Sequence, residues 1–144
     1  MKGAKPRLVV DNDPVTKAPA APSWLSADAK KEWRRIMPVL LKRKILTTAD
    51  LGSLENYCLC IGTIREMERN LQRQGHIIEV FKENTDGDLV SLGVKRNPAV
   101  SVQADAMTRA RLLAAELGLT PVSRSRPAIR EDEDDDDLNP LDVS

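Results

Sequence analysis

The sequence predicts a mainly α-helical domain with a long central helix and a short β-hairpin, a flexible N-terminal arm and a disordered acidic C-terminal tail. Only 3% of the 144 residues are aromatic while 41% are hydrophobic, so Leu, Ile, Val, Ala and Met must supply the core, which favours helices over sheets. Apolar residues recur at three- and four-residue spacing in three stretches, each flanked by helix start or stop signals. A chain of this length suits one core plus extensions. The expected division is an arm over 1–23, a helical core over 24–126 and a tail over 127–144.

The arm carries Pro6, Pro14, Pro19 and Pro22 with scattered charge and no apolar period. A first helix is expected from Ser26 as N-cap, with Asp28 in the first turn, where a carboxylate complements the helix dipole. Trp33, Ile36, Met37, Leu40 and Leu41 follow at helical spacing, and Pro38 predicts either a kink or the end of this helix. Thr47 and Asp50 resemble a capping box ahead of the longest stripe, Leu51, Leu54, Cys58, Ile61, Ile64, Met67 and Leu71. Gly75 closes it, suited to a left-handed C′ position. So long a stripe exceeds what one short partner can cover and is expected to pack against other subunits.

His76 to Val94 changes character, with apolar runs on either side of Asp86-Gly87, which predicts a hairpin. Such a hairpin needs a helix or a neighbouring subunit behind it. Asn97-Pro98 then starts a third helix carrying Ala99, Val102, Ala106, Ala110, Leu113, Ala114 and Leu117, and Gly118 ends it. Cys58 and Cys60 point to different helix faces, which disfavours a disulfide or a shared metal. They read as small hydrophobes.

The formal charge of zero conceals an asymmetry. Residues 1–126 hold 21 Lys and Arg against 14 Asp and Glu, a net +7, and residues 127–144 hold one Arg against eight acids, a net −7. A polyanion therefore meets a basic body with an acidic appendage. Neither a secretory signal nor an apolar run long enough to span a membrane occurs. The expected setting is the cytoplasm, with no membrane partner.

Catalysis is not expected. The sequence has no Gly-rich phosphate loop, and the lone His76 supplies neither a metal cluster nor a hydrolytic triad. It reads as a surface or hairpin-edge histidine. No metal and no cofactor are expected. The basic groups carry more information: Lys42, Arg43 and Lys44, then Arg34 and Arg35, are the candidate DNA-binding residues, because consecutive cations at a helix end can reach a phosphate backbone. No aromatic residue interleaves with them, which favours duplex phosphates over stacked single strands. In the tail, Leu138, Leu141 and Val143 after the acidic run suggest a partner-docking segment, and the acids themselves could screen the basic body.

The ordered set Pro22-Ser23-Trp24-Leu25-Ser26, Glu32-Trp33, Leu46-Thr47-Thr48-Ala49-Asp50, Tyr57, Leu71, Gly75, Asn97-Pro98 and Leu117-Gly118-Leu119-Thr120-Pro121 with Ser123-Arg124 resembles the small terminase subunit of tailed double-stranded DNA bacteriophages. The resemblance runs from about Pro22 to Arg126. It implies a non-catalytic protein that binds double-stranded viral DNA at the packaging site. It also implies assembly as a homo-oligomeric ring, with a nonamer as the candidate count, and recruitment or stimulation of the large terminase subunit, an ATPase and nuclease, in the host cytoplasm. The resemblance carries no DNA-binding residue over, so those five cations rest on charge alone. A second reading is a dimeric helix-turn-helix transcriptional regulator, with Lys44 to Asp50 as the turn.

Overall fold

The computed structural model describes residues 13–124, and the acidic tail with Leu138, Leu141 and Val143 lies outside them. Ser26 accepts the Ala29 N–H through its hydroxyl at 3.3 Å and opens α1, Ala27–Arg43. Ala29, Trp33, Ile36, Met37 and Leu40 recur on the buried side. The helix continues through Pro38, which lies with Arg34 on its exposed side, so the ring removes one backbone donor without entering the core. Lys44, in the left-handed region at φ 54°, ends it.

The capping signal at Thr47 sits on a 3₁₀ turn, Thr48–Asp50, where the Asp50 carboxylate accepts the Thr47 N–H at 2.9 Å and hydroxyl at 2.8 Å. It leads into α2, Leu51–Gln74. Gly75 has a positive φ of 83° but an extended ψ of 169°, so the chain leaves toward a strand rather than through the expected left-handed cap. The strands β1, Ile77–Glu83, and β2, Leu89–Arg96, pair antiparallel. Asn84 organises the turn, its side-chain oxygen accepting the N–H groups of Asp86 and Asp88 at 3.0 and 2.9 Å, and Gly87 takes φ 81°. An extra residue in β2 at Leu92-Gly93 makes a bulge opposite Val80, with Gly93 at φ 96°.

Asn97 starts α3, Ala99–Glu116, by accepting the Ala99 N–H at 2.9 Å through its side chain. At the far end Gly118, at φ 74°, and Leu119 donate to the carbonyls of Ala115 and Ala114, a Schellman closure. A last turn, α4, covers Pro121–Arg124.

Both α1 and α3 run antiparallel to α2, which lies between them. The expected α2 stripe is covered in part within the chain itself. Leu54, Cys58 and Leu71 are buried, and Leu51, Ile61 and Ile64 are half-buried against the same core. The hairpin reverses the chain so that 18 residues of α3 return along α2, and α1 covers another side. Buried Ala99, Ala106 and Ala110 allow the close α2–α3 approach. The stretch expected as a flexible arm is, from Asp13 onward, laid against this body: the Val15 N–H donates to Leu46 at 2.8 Å and the Trp33 indole N–H to the Pro19 carbonyl at 3.0 Å. That indole is buried and needs an acceptor. Cys58 is buried, which pushes its thiol up to about 12, and Cys60 is half-buried. His76 is exposed at the entrance to β1.

The α1–α2 crossing depends on Gly62. A Cβ there would lie 2.9 Å from the Ser26 hydroxyl and 3.2 Å from the Ala29 Cβ, whereas one at Gly52 meets nothing within 4 Å. Gly62→Leu is therefore expected to lower stability by about 1–3 kcal/mol through overpacking, and Gly52→Ala to raise it by about 0.5–1 kcal/mol through helix propensity. Thermal denaturation of the two variants should move the midpoint in opposite directions.

Candidate nucleic-acid interface

The antiparallel crossing of α1 and α2 brings Asp28, Lys31, Glu32 and Arg35 of one helix against Arg65 and Arg69 of the other. Its centre is Glu32, a carboxylate at 0% exposure on the side of α1 that otherwise carries the core. A charge so placed must be fully partnered. Glu32 accepts from Arg35 Nε at 2.9 Å and also from its Nη2, from the Tyr57 hydroxyl at 3.1 Å and from Arg65 Nη2 at 3.2 Å. Asp28 accepts from Arg69 one turn away.

Burial alone would push the Glu32 carboxyl up, but the hydrogen bond and charge of Arg35, with Tyr57 and Arg65, outweigh it and hold the group below the ordinary carboxylate value. Asp28 is also held low, mainly by its hydrogen bond from Arg69 and in addition by the charges of Arg69, Lys31 and Arg65. Both acids are thus ionised at neutral pH. The same network raises Tyr57 to about 12 through burial and the adjacent Glu32 charge.

The consequence is a set of arginines fixed from beneath and open above. The side chains of Arg35, Arg65 and Arg69 remain 62%, 42% and 57% exposed while their guanidinium groups are held by carboxylates. Lys31 lies exposed beside them, one helical turn before Arg35. Four cations around Asp28, Glu32 and Glu66 leave a modest positive excess on a ridge whose forks are set before any ligand arrives, which suits phosphate oxygens.

The five cations singled out in the sequence do not form one patch. Arg35 belongs to the ridge. Arg34 is exposed next to it and, with Lys30, borders the groove between α1 and residues 18–23. Lys42 is exposed in the last turn of α1. Arg43 is half-buried and donates to the Gly118 carbonyl at 3.0 Å, clasping α1 to the end of α3, while Lys44 forms the left-handed cap. Arg65 and Arg69 escaped sequence reasoning because Glu66 and Glu68 are interleaved with them and the stretch reads as a balanced solvated face. Their spacing of four was the available signal.

Among the described residues no group of three or more His, Cys, Asp or Glu is arranged to hold a metal, and no helix is long and apolar enough to cross a membrane. Residues 29–134 match the family model described as phage terminase, small subunit, which places the chain among phage DNA-packaging proteins. It belongs to the phage terminase small subunit family, which is generally non-catalytic and associated with DNA and the large terminase. Comparisons with curated proteins and with solved structures give no match.

Proposed function

We propose that this chain is a non-catalytic packaging adaptor that binds double-stranded phage DNA at the packaging site, assembles as a homo-oligomeric ring, and recruits or stimulates the large terminase in the host cytoplasm. The observation that carries the DNA-binding part is the ridge of Lys31, Arg35, Arg65 and Arg69, pre-set by Asp28 and Glu32, with Arg34 and Lys42 as flanking phosphate contacts. The apolar hairpin, exposed along β2 and at Ile77 and Phe81 of β1, supports self-assembly. Leu138, Leu141 and Val143, behind the acidic run, are the proposed docking segment for the large subunit.

The full chain, mixed with its large subunit and phage DNA containing the packaging site, is expected to raise the ATPase rate, and native mass spectrometry is expected to give one closed oligomer. A monomeric mass at working concentration removes the ring. Binding to a short palindromic operator with no effect on the ATPase moves the protein to the repressor class.

A further inference from the structure

Among the described residues, the hairpin and a groove along α2 and α3 both present apolar side chains to solvent. The first is the hairpin. Its register puts Ile78, Val80, Val90 and Leu92 on one face, framed by Lys82 and Lys95; Ile78 and Val80 are half-buried, Val90 and Leu92 are exposed, and no helix packs substantially behind the face. Leu92 is 63% exposed. A two-stranded hairpin with apolar residues in water is marginal on its own. The second is the groove of about 670 Å³ along α2 and α3, where Leu59, Val102, Leu112 and Leu113 form the apolar lining and Asp105 and Glu116 supply negative charge beside Arg109. Leu112 is 58% exposed in it.

The hairpin does not fill the groove of its own chain. Its base is fixed at the α2–α3 end by Asn97, which donates to the Gly75 carbonyl and the Asn70 side chain, both at 2.9 Å. Leu59 lies sixteen residues back along α2, roughly 24 Å away at the helical rise.

We propose that the hairpin of one copy seats in the α2–α3 groove of the next, with Lys82 and Lys95 meeting Asp105 and Glu116. The proposal rests on the ring reading and specifies its contact. A knob and a hole on separate parts of one chain make a heterologous interface, the kind that propagates head to tail until it closes. Aliphatic residues from both partners meet at its centre and opposite charges at its rim, the usual layout of a specific interface.

The test uses full-length Leu92→Asp and Leu112→Asp chains, both changes being on exposed side chains, with unchanged helical circular dichroism as the check on folding. Each variant alone is expected to run as a monomer by native mass spectrometry. An equimolar mixture is expected to give a dimer and nothing larger, since one copy keeps an intact hairpin and the other an intact groove. A wild-type-sized oligomer from either variant overturns the contact and leaves the ring reading standing. Two monomeric variants that stay monomeric when mixed also overturn it, because an intact hairpin and an intact groove then fail to pair. A monomeric wild-type chain takes down the ring reading and the contact together.

Discussion

Glu32→Ala is expected to lower the stability of the chain by about 2–4 kcal/mol, because it empties a fully buried site and leaves the Tyr57 hydroxyl without its acceptor. Arg35 and Arg65 soften the loss, since their side chains are already partly in water. At roughly 4–8 °C per kcal/mol for a domain of about 60–100 residues, and less for a larger one, the thermal midpoint should fall by about 8–32 °C. The same site sets the acid behaviour. Glu32 and Asp28 are held below their ordinary values of 4.5 and 3.8. The unfolded chain therefore takes up their protons first, and the stability they contribute is present above those values and lost as pH falls through the lower folded ones. Glu32→Gln should flatten the acid limb of the midpoint-against-pH curve relative to wild type. A midpoint unmoved in Glu32→Ala would mean that the network contributes nothing to the fold.

Replacing Lys31, Arg65 and Arg69 together by Gln is expected to weaken duplex binding at 0.1 M salt by roughly 10²–10³-fold, if each cation releases one counterion on meeting a phosphate. The slope of log affinity against log salt should fall in magnitude by about 2.7, at about 0.9 per contact. Glu32 keeps Arg35 and Tyr57 in this variant, so the core of the network survives. Arg111→Gln, at an exposed position on α3 outside both the ridge and the groove lining, is the control, expected to leave the slope nearly unchanged if DNA lies on the ridge. An equal loss in both proteins would place DNA elsewhere on the basic body.

Much of the fold was legible in local signals. Ser26, Asn97 and Gly118 act where their capping chemistry predicts, and Asp86-Gly87 lies in the hairpin turn. These features were readable because each is decided within a few residues. What failed was non-local. How much of the α2 stripe the chain itself covers could not be read, since no local pattern says that the hairpin returns α3 along it. The ordering of residues 13–23 depends on a Trp33 indole fourteen residues from its acceptor. The candidate site was half legible for the same reason. Arg34 and Arg35 stand out as cations on one helix, but the role of Arg65 and Arg69 depends on Glu32 and Asp28, which lie more than thirty residues earlier. Glu32 itself looked like one more surface charge.

The neck at Asn97 uncouples two lengths. One side chain ties α2, the hairpin base and the start of α3, so residues can be added to or removed from both strands in matched pairs without disturbing helix packing. In an assembly where the hairpin reaches the next copy, the strands are then a ruler: two residues more on each would move the tip about 6.6 Å outward. In the proposed ring, the spacing between copies, and with it the bore, would be set by the length of this arm rather than by the helical body.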